Sequence, residues 1–250
     1  MQGLPLFRVI GMMAKRIIGL LCGVLLIAGC QGLPKDLSSG TNIAGKDGYD
    51  NTSHVFREED HIIGEYDAIV TVKKSAKGNV YFQVDSTTRV FPLFGYEETF
   101  TDIKRLACHL ILYDIVEVEN FLDARITWYE NIEKGELEKP EDTQQNCGLD
   151  VLEDWLTSVE DGFLTLHYSA WWGDSTQPHR ITLTRGDHPF ELFIKHYNNG
   201  DEALREADAL IYFDLNDILP QTTGNELTLK WITCDGTLAQ KTFRYSSRTE

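Results

Sequence analysis

The chain has 250 residues and a formal net charge of −16, because 39 Asp and Glu outnumber 23 Lys and Arg. Binding to nucleic-acid phosphates or to anionic lipid needs a basic stripe, so this composition argues against both classes of partner. A solvated acidic surface is the simpler interpretation of the charge, and a basic partner is the alternative.

A secretory signal is predicted at the N-terminus. Lys15 and Arg16 precede the apolar run 17–29, which ends at Cys30. The run is shorter than the roughly 18 residues of a membrane-spanning helix, which favours a signal over a transmembrane segment. Its end, Ile27-Ala28-Gly29-Cys30, resembles the lipobox of bacterial lipoproteins. The resemblance implies cleavage between Gly29 and Cys30 and acylation of the Cys30 thiol.

The lipid anchor on Cys30 sets the expected location. Gln31 follows it, whereas lipoproteins kept in the bacterial inner membrane usually carry Asp at that position. We therefore expect an outer-membrane lipoprotein whose folded part faces either the periplasm or the cell surface. Fatty chains such as palmitate contribute about 0.8 kcal/mol per buried methylene, which makes such an anchor stable. Residues 1–29 are the predicted signal, and the small and polar residues of 30–54 predict a flexible tether.

A strand-rich pattern follows the tether, and it defines a predicted domain over residues 55–135. Segment 66–74 has β-branched residues at its centre, 75–78 predicts a hairpin turn, and 79–85 alternates apolar and polar residues. Further strands are predicted at 89–92, 104–116 and 122–133. Five strands within this length are typical of a small curled barrel, either of the OB type or SH3-like.

A second strand series is predicted over residues 161–250, after a polar connector at 136–160 whose later part is either a short helix or an irregular lead-in. The six predicted strands are 163–172, 179–185, 190–197, 209–215, 226–234 and 238–245. Short turn signals separate most of them, and the strongest is Asn198-Asn199-Gly200-Asp201. Closely spaced strands of this kind indicate an antiparallel β-sandwich, so the fold class is all-β.

Three cysteines besides Cys30 follow the signal. Cys108 and Cys234 lie in strand-like runs and are expected to be buried, whereas Cys147 lies in a polar segment and is expected to be exposed. An odd number leaves at least one thiol free in an oxidising compartment. One disulfide stays open as an alternative, with no choice of pair. No Cys and His spacing predicts a zinc site.

The tests for chemistry all fail at the level of motifs. The sequence has no Gly-x-Ser-x-Gly elbow, no His-Glu-x-x-His, no dinucleotide-binding glycine motif and no P-loop. His179, His188 and His196 are close in sequence, but surface or turn histidines are the better interpretation than a metal site. The acidic run 201–208 lacks the order of a calcium loop and is expected to be a solvated turn or a short helix. We therefore expect no enzymatic activity, no cofactor and no metal.

Tyr168, Trp171 and Trp172 form the densest aromatic group of the sequence. Aromatic side chains near a strand end can stack on sugar rings or anchor a protein partner. They can equally fill the core of a sandwich, which is the simpler interpretation because aromatic residues dominate burial.

Several strand motifs resemble the NigD-like lipoproteins of Bacteroidetes. They are Tyr66-Asp67-Ala68-Ile69-Val70-Thr71-Val72-Lys73, Tyr81-Phe82-Gln83-Val84-Asp85, Gly162-Phe163-Leu164-Thr165-Leu166-His167-Tyr168, His179-Arg180-Ile181-Thr182-Leu183, Phe193-Ile194-Lys195-His196-Tyr197-Asn198-Asn199-Gly200-Asp201 and Ile211-Tyr212-Phe213-Asp214-Leu215. The resemblance implies an N-terminal OB-like barrel and a C-terminal β-sandwich. The family name comes from a bacteriocin-linked locus, which implies an immunity role, and the resemblance assigns no role to any residue.

Two functional hypotheses follow for the lipid-anchored chain. The first is a non-enzymatic envelope protein that binds a macromolecule, with a bacteriocin-like protein toxin as the first candidate. The second is a carbohydrate-binding or carbohydrate-processing accessory protein that uses Tyr168, Trp171 and Trp172 or the face of the barrel. A hydrolase is a third hypothesis, which predicts turnover in a broad activity screen.

Overall fold

The structure is a computed structural model that describes residues 61–114, 122–138, 145–174 and 178–248. The predicted signal 1–29, the acylated Cys30 and the tether 30–54 lie outside the described residues. Within the described part, no helix combines the length and the apolar character needed to cross a bilayer.

The described residues form two units, which meet in the sequence between Ile132 and Glu133. The first unit is built from five strands, β1 His61–Lys74, β2 Val80–Gln83, β3 Arg89–Phe94, β4 Lys104–Asp114 and β5 Leu122–Asn131. All five correspond to strands expected from the pattern. β1 begins five residues before the expected position, because its early residues also pair with β4.

The five strands close into a barrel in the order β1-β2-β3-β5-β4. The pairing of β3 with β5 is parallel, and the other four pairings are antiparallel. This connectivity identifies the OB-like form of the two barrels that the sequence left open. The interior is filled by alternate apolar residues such as Val70, Val72, Phe82 and Leu110, all fully buried. Cys108 is buried among them.

The second unit contains ten strands and one short 3-10 helix at Leu215–Asp217. The strands are β6 Glu133–Lys134, β7 Glu136–Leu137, β8 Asp150–Val151, β9 Ser158–Glu160, β10 Phe163–Trp172, β11 Arg180–Arg185, β12 Glu191–Tyr197, β13 Arg205–Asp214, β14 Thr223–Ile232 and β15 Leu238–Ser246. One sheet has the order β6-β13-β10-β8, with β9 also paired to β10, and the other has the order β15-β14-β12-β11-β7.

The two sheets form the expected sandwich, with one core contributed by both. Three pairings are parallel, namely β6 with β13, β7 with β11 and β12 with β14. The other five pairings are antiparallel, as expected, and they join β8, β9 and β13 to β10, β11 to β12, and β14 to β15. β12 and β14 run in the same direction because the chain crosses to the other sheet as β13 before it returns.

Part of the segment expected to connect the domains belongs to the sandwich sheets. β7, β8 and β9 fall within residues 136–160 and extend both sheets. No helix forms between 149 and 160, because Leu152 donates its backbone N–H to His167 O and Thr157 Oγ1 donates to Leu152 O. These bonds hold the segment as an extended flank of β10.

Candidate functional site

The end of β10 separates the predicted aromatic group into two sets. Successive residues of a strand point to opposite faces, and the side chains of Tyr168 and Trp172 point into the sandwich core, with exposures of 4% and 8%. Both side chains fill the core, as the simpler interpretation of the aromatic group expects. Trp171 points to the outer face and is 46% exposed.

Trp171 lies beside a carboxylate that is held in place. Glu206 of β13 is its direct cross-strand partner, and the exposed Glu206 carboxylate accepts a hydrogen bond of 2.5 Å from Ser169 Oγ. Ser169 is buried and lies on the same face two residues before Trp171. Leu204, 56% exposed, adjoins the same end of the strand pair and donates its backbone N–H to Trp172 O. Trp171, Leu204 and Glu206 therefore form a small exposed patch, here called the Trp171 patch.

A buried histidine lies further along the same face. His167 Nδ1 is 2.6 Å from Asp154 Oδ2, and His167 Nε2 is 3.1 Å from Asp208 Oδ2. Its side chain is 6% exposed. Both ring nitrogens thus face carboxylates, and this contact ties the turn at 152–157 to β13. Ser169 bonds Glu206 rather than His167, so the serine and the histidine do not form a nucleophile and base pair.

A second histidine cluster lies under Trp172. The His179 ring stacks on the Trp172 indole at 4.1 Å between centroids. His179 Nδ1 is 2.8 Å from His196 Nε2, and His179 Nε2 is 3.0 Å from Asp201 Oδ2. His196 Nδ1 is 2.6 Å from Gly148 O, which completes a row of three contacts. The side chains of His179 and Asp201 are only 2% and 6% exposed.

The positions of these side chains follow from the turn between β12 and β13. Asn199 and Gly200 both have positive φ angles, of 52° and 80°, as a tight turn of this type requires. This confirms the turn predicted at 198–201. Asp201 then accepts the backbone N–H of Gly173 at 2.7 Å. A Cβ atom at Gly173 would lie 2.3 Å from Asp201 Oδ1, so the approach requires glycine.

The number of protons in the cluster follows from its hydrogen bonds. The Gly148 carbonyl at one end and the Asp201 carboxylate at the other both accept, so three contacts need three protons. Two neutral imidazoles carry only two N–H groups. Burial lowers the pKa of His196 to about 4, with a contribution in the same direction from His179 and an opposing one from the hydrogen bond to the Gly148 carbonyl. The extra proton therefore lies between His179 and Asp201, and the cluster has no net charge.

These positions correct the expectation that the histidines lie in exposed turns. The side chains of His179 and His196 are buried and bonded to each other, and Asp201 of the acidic run is the partner of His179. The described residues contain no group of three or more His, Cys, Asp or Glu arranged to hold a metal ion. His188 lies at the opposite end of the β11–β12 hairpin, where it lines a cleft of about 460 Å³ with Arg185, Asp217 and neighbouring residues.

The three cysteines of the described residues are all free thiols. Cys108 is buried and Cys147 is exposed, as expected. Cys234 is half-buried and follows the end of β14 rather than lying within it, and its backbone N–H donates to Asp150 Oδ1. Burial, together with the nearby Asp150 and Glu206, raises the pKa of the Cys234 thiol to about 12, so this thiol is not poised as a nucleophile.

Comparison with known proteins connects the fold to a family. Residues 133–245 match the NigD-like C-terminal β-sandwich domain. This part of the chain is NigD-like. The match covers the sandwich strands from β6 to β14 and most of β15, together with the Trp171 patch and both histidine clusters. The resemblance that the strand motifs suggested is thus confirmed.

Solved structures share the fold of this chain at low sequence identity. A Parabacteroides distasonis protein with the provisional name of a toxin-related protein has a TM-score of 0.57 and 17% identity, over 72% of this chain and 94% of its own. A Bacteroides caccae protein named a NigD-like immunity protein has a TM-score of 0.51 and 17% identity, over 70% and 91%. A Bacteroides fragilis protein provisionally named a lipoprotein has a TM-score of 0.50 and 12% identity, over 74% and 99%. No curated protein matches the sequence.

Proposed function

We propose that this chain is a lipid-anchored protein of the outer membrane that binds a protein partner and performs no catalysis, in the manner of an immunity protein. The observation that carries the proposal is the Trp171 patch, in which an exposed indole and an oriented carboxylate lie on two long paired strands. Exposed aromatic side chains on rigid elements are typical of the centre of a protein interface.

The internal bonding of the reactive groups supports a binding role over an enzymatic one. His167 is held between Asp154 and Asp208, and His179 is held between His196 and Asp201. A general base must reach the proton that it removes from a substrate. The imidazole nitrogens of these histidines already face partners within the protein, which suits a structural role.

The relatives supply the second line of support. One structural relative is named a NigD-like immunity protein and another carries the provisional name of a toxin-related protein. A third carries the provisional name of a lipoprotein, which agrees with the anchor proposed at Cys30. A lipid on Cys30 would anchor the chain in the bilayer, and the tether 30–54 would connect this anchor to the domains. The partner would be a toxin-like protein that reaches the envelope.

Expression in a Bacteroides host tests the location and the partner together. We expect the chain in the outer-membrane fraction, labelled by a clickable palmitate analogue, and a Cys30→Ser variant without label and released from the membrane. Cross-linking of the full chain in its envelope should yield one protein in a stoichiometric complex. Labelling that persists in the Cys30→Ser variant would contradict the anchor, and turnover in a broad hydrolase screen would contradict the non-enzymatic role.

The alternative is a carbohydrate-binding accessory protein, which the exposed indole of Trp171 beside Glu206 also favours. Indole rings stack on sugars, and carboxylates accept hydrogen bonds from sugar hydroxyl groups. A glycan array discriminates the two hypotheses. Tight glycan binding that is lost in Trp171→Ala and kept in Trp155→Ala would favour this alternative over a protein partner. Trp155 is a suitable control because it is 43% exposed.

A further inference from the structure

The Trp171 patch combines an indole and a carboxylate, and both groups attract cations. Direct cross-strand partners in an antiparallel sheet have Cβ atoms about 4.5–5.5 Å apart on one face. Trp171 and Glu206 are such a pair. The face of an indole ring attracts a cation, and a carboxylate pairs with one. A single cationic group can therefore contact both side chains at once.

No cation of the described residues already uses this pair. Among them, Glu206 forms no ion pair with Lys or Arg, and no Lys or Arg lies over the Trp171 ring. Arg205 is next to Glu206 in the chain but is the cross-strand partner of Trp172, so it belongs to the other face. The charge of Glu206 is thus directed outward without a neutralising neighbour on its own face.

The Glu206 carboxylate is also oriented before any partner arrives. The buried Ser169 hydroxyl donates to Glu206 Oε1, which leaves Oε2 and the remaining lone pair of Oε1 for another donor. A fixed acceptor loses less side-chain entropy on binding than a mobile one. Next to Ser169, Asp150 on β8 and Asp208 on β13 lie on the same face and extend its negative potential.

We propose that the Trp171 patch docks an arginine side chain of a protein partner, with the guanidinium stacked on the Trp171 indole and hydrogen-bonded to the Glu206 carboxylate. Arginine fits better than lysine because the guanidinium is planar, stacks on aromatic faces and donates two parallel hydrogen bonds to a carboxylate. The exposed Leu204 side chain offers apolar surface to the aliphatic stem. The inference rests on the proposed binding function and names its contact.

The charge of the whole chain agrees with a basic partner. The net charge is −16, and removal of the predicted signal, which contains three basic and no acidic residues, leaves 20 Lys and Arg against 39 Asp and Glu. A strongly acidic protein attracts basic partners over distances up to the Debye length, about 8 Å at physiological salt. The potential would bring the partner close, and the Trp171 patch would select the residue that docks.

Fluorine NMR of the full chain, purified in a non-ionic detergent and labelled with 5-fluorotryptophan, can test this contact. The chain has five Trp residues, so five signals report on separate sites, and Trp171→Phe assigns the relevant one. Titration with hexa-arginine should shift the Trp171 signal in a saturable way and leave the Trp155 signal in place. Glu206→Gln should weaken hexa-arginine binding about two- to fivefold. Glu226→Gln, an exposed carboxylate of the other sheet, should leave binding unchanged.

Hexa-lysine and salt separate arginine docking from general attraction. We expect hexa-lysine to bind several-fold more weakly than hexa-arginine, and 1 M NaCl to weaken both. No shift of the Trp171 signal, equal shifts at Trp155, equal affinity for the two peptides, or unchanged affinity in Glu206→Gln would each overturn the proposal. A cross-linked envelope partner whose binding survives Trp171→Ala would also overturn it, while the proposed binding function would stand. Absence of both peptide binding and a partner would refute both.

Discussion

The two adjacent tryptophans at the end of β10 have opposite environments. Trp172 is 8% exposed, stacks on His179 and donates its indole N–H to Ala207 O, whereas Trp171 is 46% exposed beside Glu206. The inner side chain joins a core in which its own polar group and those of the histidines beneath it are bonded. The outer side chain leaves nearly half of its surface to solvent. Adjacent residues of one type therefore contribute stability on one face and, in our proposal, recognition on the other.

Substitution of the inner tryptophan should have the largest effect on stability. Trp172→Ala removes a buried indole, its stacking on His179 and its hydrogen bond, and should lower the free energy of unfolding by about 3–5 kcal/mol. Urea denaturation followed by circular dichroism measures the loss. A phenyl ring would retain part of the stacking surface, so Trp172→Phe should lose clearly less than Trp172→Ala. A loss below about 1 kcal/mol in the alanine variant would show that Trp172 does not fill the core.

Asp201→Asn tests the proton that the buried cluster holds beneath Trp172. The amide cannot replace the carboxylate that shares the extra proton with His179, so the variant leaves a buried positive charge or forces the loss of a proton and a hydrogen bond. We expect about 3 kcal/mol of destabilisation, as when one partner of a buried ion pair is removed. Asp217→Asn, an exposed carboxylate, should change stability by less than about 0.5 kcal/mol.

Nitrogen NMR of the histidine rings provides an independent check of the cluster. In the wild-type chain His196 should be protonated at Nδ1, which faces the Gly148 carbonyl, and unprotonated at Nε2 at neutral pH. A His196 ring with both nitrogens protonated at neutral pH would contradict the lowered pKa of this histidine.

Acid should weaken the cluster through His196. Its pKa is about 4 in the folded protein against an ordinary 6.5, so the unfolded chain takes up a proton between these values and the folded chain does not. Its contribution is intact above pH 6.5 and is lost as the pH falls towards 4. Each pH unit in this window costs about 1.4 kcal/mol, and the full effect is on the order of 3 kcal/mol.

Comparison with His196→Gln isolates this effect from that of the carboxylates. Asp85 and Glu98 also have lowered pKa values. Burial raises the pKa of Asp85, but the hydrogen bonds from Thr87 and Thr88 together outweigh it, and hydrogen bonds from Lys104 and Asn131 stabilise the Glu98 carboxylate. Their contributions are likewise lost in acid, but below about pH 4.5 and in both proteins. Urea midpoints measured from about pH 7 to about pH 4 should therefore fall more steeply in the wild-type chain. Parallel curves would show that His196 is not protonated more readily on unfolding.

Strand patterns predicted the fold well, because alternation and turn residues are local features of a sequence. The five barrel strands and the six main sandwich strands lie close to their predicted positions. Closure of the barrel depends on which strands pair, and the parallel pairing of β3 with β5 joins residues distant in sequence. The short strands β6 to β9 have too few residues to show a period, so the connector pattern concealed them.

The candidate site could be predicted only in part, because it depends on which strands pair and not on local patterns alone. Alternation along β10 places Trp171 and Trp172 on opposite faces, but it does not indicate which face is covered. Glu206 and Ser169 meet through the register of β10 with β13, which no local pattern contains. The cluster of His179, His196 and Asp201 assembles across three chain segments. The turn at Asn199 and Gly200 was predictable from its residues, but the inward direction of the Asp201 side chain was not.

Substitution of the outer tryptophan should have the smallest effect on stability. Trp171→Ala removes a side chain that is already half exposed, and we expect less than about 1 kcal/mol of change in the free energy of unfolding. The same urea experiment as for Trp172→Ala measures it, so the two neighbours form a matched pair. A loss near that of Trp172→Ala would mean that the Trp171 ring stabilises the sheet and is not free to bind. A small loss combined with loss of hexa-arginine binding would mean that an indole at this position serves recognition, because its removal then costs affinity and not folding.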